Sequence, residues 1–133
     1  LVFVSSTGTA DNLTAKLVKN GIKATALHSK KTQGARNKAL EDFKDGKVQV
    51  LVATDLLARG IHIDLLPVVI NYELPRSPLD YVHRIGRTGR ASEKGIAITL
   101  LTLDDMHHFK IIQKKMKHCV EVLPTDEVNL QGY

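Results

Sequence analysis

With 133 residues, 43% of them hydrophobic and 25% charged, the chain has the size and composition of one folded domain with a full core. These values exclude a collagen-like or disordered protein, and no apolar run reaches membrane-spanning length. A net charge of +5 is compatible with a nucleic-acid partner but is equally common in proteins that bind none.

The chain opens without a methionine on Leu1-Val2-Phe3-Val4, an apolar run typical of a strand covered on both faces, and the expectation is a piece cut from a longer protein. Ser5 to Thr9 form a small polar loop, and a helix is predicted from about Ala10 to Asn20, with Ala10, Leu13 and Leu17 on one face and Gly21 as its stop. Ile22 to Leu27 read as a second strand. His28-Ser29-Lys30-Lys31 is a basic loop, and Thr32 caps a helix running to about Lys44 that buries Ala35, Ala39, Leu40 and Phe43 before Gly46 closes it. Val48 to Ala53 form a third strand and Pro67 to Asn71 a fourth. A short helix begins after Pro78, and Gly95 to Leu101 form a fifth strand. Asp104 caps a last helix, about Asp105 to Lys117, with Phe109, Ile112 and Met116 inward; Val120 to Val122 read as a short final strand. Cys119 is the single cysteine, so neither an internal disulfide nor a cysteine-based metal site can form, and a reducing, cytoplasmic location is expected.

Helices alternating with strands that are apolar throughout imply an α/β fold, a parallel sheet with helices on both faces. In such sheets the chemistry gathers at the carboxyl ends of the strands. The loops that fall there are Ser5-Ser6-Thr7; His28 and Ser29 followed by Gln33 and Arg36; Thr54-Asp55 with Arg59 and Gly60; and His83-Arg84-Ile85-Gly86-Arg87-Thr88-Gly89-Arg90. All are small, polar or basic. The last holds three arginines whose planar forks suit phosphate oxygens, and their spacing by three predicts one shared helical face. Ser6, Thr54 and Arg36 suit a row of backbone phosphates, helix capping being the other role for Ser6 and Thr54. The loops contain no aromatic residue, which favours backbone contact without base stacking. Arg87 and Arg90 fit stabilisation of a transferring phosphoryl group, yet the chain has no GxxxxGK[ST] loop and no acidic pair placed at a strand end for Mg²⁺. The nucleotide is therefore expected to be held by another domain. No metal site is expected, since His28 and His83 lie far apart and His107 and His108 are adjacent.

Over roughly residues 1 to 116 the chain resembles the second RecA-like domain of the DEAD-box RNA helicases. His83 to Arg90 match the family's motif VI, Ala53 to Gly60 its motif V, Val2 to Ser6 its motif IV and Gln33-Gly34-Ala35-Arg36 its QxxR motif. The wording of Ser29 to Arg36 and of Asn71-Tyr72-Glu73-Leu74-Pro75 is most like the bacterial RhlE-type subgroup. The resemblance implies a RecA-like three-layer sandwich over residues 1–123, a tail over 124–133, and an N-terminal RecA-like domain that lies outside this sequence. It further implies that ATP and Mg²⁺, held mainly by that other domain, and single-stranded or short duplex RNA bind across the cleft between the two. Arg87 and Arg90 then reach the γ-phosphate, with Arg90 as the finger. Ser6, Gln33, Arg36, Thr54 and Gly60 serve the RNA backbone, and His83, Arg84 and Arg59 couple the closed interface.

The sequence departs from the family pattern at three places. His62 stands where an aspartate contacts the ATP ribose, with Asp64 as a substitute two residues on; Ser29 replaces a glycine beside the RNA path; and Ser6 replaces a threonine. The implied function is half of an ATP-dependent RNA helicase, inactive and monomeric when isolated. A DNA-directed superfamily 2 helicase half, and a pseudo-helicase or docking module without turnover, are the alternatives.

Overall fold

Each apolar run becomes a strand, and all the strands run the same way. The computed structural model describes residues 1–55, 63, 66–89, 94–117 and 120–125. Within them the chain forms β1 (Val2–Val4), α1 (Thr7–Lys19), β2 (Ala24–Leu27), α2 (Gln33–Lys44), β3 (Val50–Thr54), β4 (Val68–Asn71), α3 (Pro78–Ile85), β5 (Ile96–Thr99), a 3₁₀ turn (Leu103–Asp105) and α4 (Met106–Met116). The sheet order is β2-β3-β1-β4-β5, with every neighbouring pair parallel. The first strand of the chain thus lies at the centre.

Alternation along each strand divides the core between the two faces of the sheet. Leu1, Phe3, Leu27, Leu51, Ala53 and Val69 pack with Ala39, Leu40 and Phe43 of α2. Val2, Val4, Ala26 and Val52 pack with Ala10, Leu13 and Leu17 of α1. This gives the three-layer α/β sandwich. A smaller cluster joins α3 to α4 through Tyr81, Ile85, Phe109, Ile112 and Met116, with the Tyr81 and Phe109 rings edge-to-face at 5.9 Å.

Helix boundaries follow their caps. The first helix begins at Thr7, three residues before the expected start, because Ser6 Oγ accepts the Thr9 amide at 3.1 Å. Thr32 caps α2 as expected, through the Ala35 amide at 3.2 Å, but Ala35 itself faces solvent and only Ala39 is fully buried. The last helix is capped differently from the expectation: Thr102 rather than Asp104 leads in, with Asp105 Oδ2 accepting the Thr102 amide at 2.9 Å. Val120 to Val122 form no strand, and the Val120 amide instead donates to Gln113 Oε1 at 2.7 Å.

One expectation about the sheet fails at its edge. Among the described residues β5 pairs with β4 alone, and Ile96 and Ile98 are exposed, so it lacks the double cover of the inner strands. Among the described residues, no helix is long and apolar enough to cross a membrane.

Candidate functional site

Parallel pairing brings the ends of the strands together. Val4 lies opposite Thr54, Phe3 opposite Asn71, Asn71 opposite Thr99 and Leu27 opposite Ala53, so the polar loops leave one edge of the sheet side by side. The centre of that edge is Arg84. Its Nε and Nη2 donate to Asp55 Oδ1 and Oδ2 at 2.6 Å each, a fork-on-fork pair. Its Nη1 donates to the Glu73 carbonyl at 2.6 Å and to Asn71 Oδ1 at 3.4 Å, and its guanidinium lies 5.3 Å from the centre of the Phe3 ring. Asn71 passes the connection on to Thr99 Oγ1 at 3.1 Å, and Glu73 Oε1 accepts the Ser5 amide at 3.3 Å. One guanidinium therefore ties the ends of β1, β3 and β4 to α3.

This changes the reading of the arginine-rich stretch. Arg84 is 1% exposed, so it presents no surface to another domain, and its part in any coupling runs through Asp55, Asn71 and Glu73. Arg84 and Arg87 do not share a helical face either. The helix ends at Ile85 with Gly86 as its C-cap, which leaves Arg87 in the turn that follows. That turn is held down as a parallel bridge: the Leu66 amide donates to the Arg87 carbonyl at 3.0 Å and Thr88 Oγ1 donates to the Leu66 carbonyl. A Cβ added at Gly95 would fall on Thr88 Oγ1 and within 2.6 Å of the Gly89 nitrogen, so Gly95 permits this approach. His83 is exposed on α3.

On the other flank, Ser6 is exposed and its Oγ caps α1, contacting Thr9 Oγ1 at 2.9 Å as well as the Thr9 amide. Capping leaves the hydroxyl at a helix N-terminus, where backbone amides favour anions. Thr54 is buried at the end of β3, immediately before Asp55. Gln33 is exposed in the first turn of α2, with Nε2 donating to Asn37 Oδ1 at 2.9 Å. Arg36 folds back on the loop before its helix, donating from Nε to the Lys31 carbonyl at 3.1 Å and from Nη2 to the Ser29 carbonyl at 2.9 Å. The other expected site residues, Arg59, Gly60, His62, Asp64 and Arg90, lie outside the described residues.

His28 is buried at the end of β2. Its Nδ1 accepts the Lys30 amide at 3.2 Å, which places the proton on Nε2, and Nε2 donates to Asp11 Oδ1 at 2.8 Å. That hydrogen bond is the main cause holding the Asp11 carboxyl below its usual pKa, with the charge of Lys31, 3.5 Å away, adding to it. Among the described residues, no group of three His, Cys, Asp or Glu could hold a metal ion.

The roles of Asp55, Asn71, Glu73 and Asp11 were not read from the sequence. Two of them carried a signal. Asn71 is a polar residue ending an otherwise apolar strand, and Asp55 directly follows another; a buried polar position of that kind must find partners. Asp11 lies on an ordinary helix, and its partner is set by tertiary packing alone.

Comparison with known proteins shows the family. Residues 1–92 match the model of the family described as "Helicase conserved C-terminal domain". The chain is 36% identical to E. coli DEAD-box protein SrmB in its structure bound to regulator of ribonuclease activity A, with a TM-score of 0.88, covering 99% of this chain and 78% of that one. The chain belongs to the helicase C-terminal domain family, as the C-terminal helicase domain of a DEAD-box protein. It is also similar to ATP-dependent RNA helicase RhlB of Pseudomonas syringae pv. tomato, at 43% identity over 127 residues, 94% of this chain and 32% of that protein. S. cerevisiae Dbp5 bound to RNA and ADP BeF3 superposes with a TM-score of 0.84 at 36% identity, covering 95% of this chain and 34% of that one. The domain spans about a third or less of the curated relatives it matches, 13% to 33% of their lengths.

Proposed function

We propose that this domain is the second half of an ATP-dependent RNA helicase, nearest in motif wording to the RhlE-type subgroup, working in the cytoplasm against an N-terminal RecA-like partner domain of the same protein. The observation that supports it is the junction at Arg84, which joins the Thr54–Asp55 strand end to the turn that carries Arg87. On this reading the Ser6, Gln33, Arg36 and Thr54 loops, with Gly60, take the sugar-phosphate backbone of single-stranded RNA. Arg87 and Arg90 face a triphosphate held by the partner domain, with His62 or Asp64 beside its ribose. His83 and Arg59 meet that domain directly, and Arg84 acts from behind them. Bound ATP with Mg²⁺ supplies the phosphoryl group whose hydrolysis resets the open state, and the ligands of the metal are assigned to the partner domain.

The chemistry left to this domain is electrostatic. Arginine keeps its charge at working pH and offers planar donors to equatorial phosphate oxygens as charge develops on them. The loops assigned to RNA here, at Ser6, Gln33, Arg36, Thr54 and Gly60, carry no aromatic residue, so RNA is bound there through its backbone and without strong sequence preference. In the full-length protein, Arg90→Ala is expected to reduce RNA-stimulated ATP hydrolysis by at least about tenfold, a threshold set well under the roughly 10³–10⁵-fold range of such fingers. Unchanged hydrolysis would remove Arg90 from that role. Stimulation by DNA equal to that by RNA would move the domain to a DNA-directed helicase, and full-length protein that binds RNA without any turnover would make it a docking module.

A further inference from the structure

Arg36 is oriented before any ligand arrives. Its Nε and Nη2 are committed to the carbonyls of Lys31 and Ser29, while Nη1 makes no hydrogen bond among the described residues. The direction of the guanidinium is thus set by the shape of the loop from Ser29 to Lys31. That loop is in turn held from behind. The Lys30 amide is bound by His28 Nδ1, and His28 is 1% exposed, with its Nε2 proton on Asp11 Oδ1 at 2.8 Å. The same carboxylate oxygen draws in Lys31 Nζ at 3.5 Å.

A line of contacts therefore runs from α1 through the imidazole and the loop backbone to the arginine. Only the last member lies in a motif that the resemblance ties to RNA. The bonds are directional: the Lys30 amide fixes which ring nitrogen carries the proton, and only a group that accepts from Nε2 can satisfy the other side. Serine at position 29 does not interrupt the line, because the loop uses its backbone carbonyl.

We infer that Asp11 and His28 are positioning residues for RNA binding, acting through the Ser29–Lys31 loop to aim Arg36 at a backbone phosphate. The inference rests on the reading that Arg36 touches RNA. Losing the aim leaves the charge of Arg36 in place but removes its directed hydrogen bond, so the effect falls on RNA affinity. Turnover at saturating RNA is expected to be kept, because the hydrogen bonds of this line run among Asp11, His28, Lys30, Arg36 and the loop carbonyls and none ends on Arg84.

The test uses the full-length protein and a short uridine oligonucleotide, with RNA-stimulated ATP hydrolysis followed as RNA and salt are varied. Arg36→Ala should raise the RNA concentration for half-stimulation roughly tenfold, as for a lost charged hydrogen bond. It should also flatten the logarithmic salt dependence of RNA binding by about 0.7, the share of one phosphate contact on a single strand. Asp11→Leu should raise half-stimulation about threefold or more in the same direction. Asp11→Asn, which keeps an acceptor for Nε2, should stay within about twofold of wild type. Combining Asp11→Leu with Arg36→Ala should add nothing to Arg36→Ala alone. Asp11→Ser, too short to reach the ring, gives the same shift as Asp11→Leu should the leucine variant fold poorly.

If Arg36→Ala shifts RNA binding and both Asp11→Leu and Asp11→Ser leave it unchanged, the inference is wrong while the RNA reading of Arg36 stands. Fully additive effects overturn it equally. An unchanged half-stimulation in Arg36→Ala removes the RNA contact itself, and the inference with it.

Discussion

Asp55→Ala tests the joint on which the strand ends depend. The substitution removes both acceptors of a bidentate pair with N···O distances of 2.6 Å and leaves a guanidinium that is 1% exposed. What remains to Arg84 is the Glu73 carbonyl at 2.6 Å and Asn71 Oδ1 at 3.4 Å, two acceptors with no charge to offset its own. Breaking one side of a buried pair costs about 3–5 kcal/mol. The Asp55 side chain is 31% exposed, so water can reach its place and the lower end, about 3 kcal/mol, is expected. That is a large part of a typical domain stability of about 5–15 kcal/mol. For a domain of this size it corresponds to a fall in Tm of roughly 10 °C. Urea unfolding followed by circular dichroism gives the value, and a double-mutant cycle with Arg84→Leu isolates the pair, because the double variant removes both charges. A loss below about 1 kcal/mol for Asp55→Ala, in the range of a solvated surface pair, would refute the reasoning.

Gly95→Ala should destabilise the domain by about 1–3 kcal/mol, as overpacking does, because the added methyl meets Thr88 Oγ1 and the Gly89 nitrogen; thermal unfolding measures it. Ser6→Ala should lose about 1 kcal/mol through the cap on α1, read by the same melt. The Asp11 carboxyl has its pKa lowered in the fold, chiefly by the His28 hydrogen bond, so its contribution is present above the ordinary carboxylate range and lost as pH falls through the depressed folded value. Stability measured against pH should therefore fall less steeply at the acid end in Asp11→Asn than in wild type; parallel curves would refute this. Phe3→Ala should lose about 3–5 kcal/mol in urea, since the ring is both central core and the floor beneath Arg84.

The fold was legible because its strands are apolar throughout and its helices carry one apolar stripe. Those patterns place β1, β3, α2 and the inward face of α4 within a few residues of where they lie. The errors came where a local hydrogen bond outbids the pattern. Ser6 starts α1 early, Asp105 takes the Thr102 amide and sets a 3₁₀ turn ahead of α4, and Gln113 claims the amide of Val120. Gathering of the loops at one edge was also legible, since a parallel sheet leaves them no other place. What could not be read was which polar residue meets which. The spacing of Arg84, Arg87 and Arg90 looked like one face, but Gly86 ends the helix between the first two, and burial turns Arg84 inward. Its partner Asp55 lies 29 positions away, and that of His28 lies 17 away, distances over which only the folded sheet decides.

The central place of β1 has a consequence for how the protein is made. Val2 pairs with Val52 on one side and with Ile70 on the other, so β1, made before either neighbour, must wait for both. At about 5–20 residues per second, roughly fifty residues pass over several seconds before even the nearer one leaves the ribosome. Through that interval Leu1 to Val4 travel as an unpaired apolar ribbon, and the nascent chain is most exposed to holding chaperones there. Closure of the sheet begins only when β3 arrives.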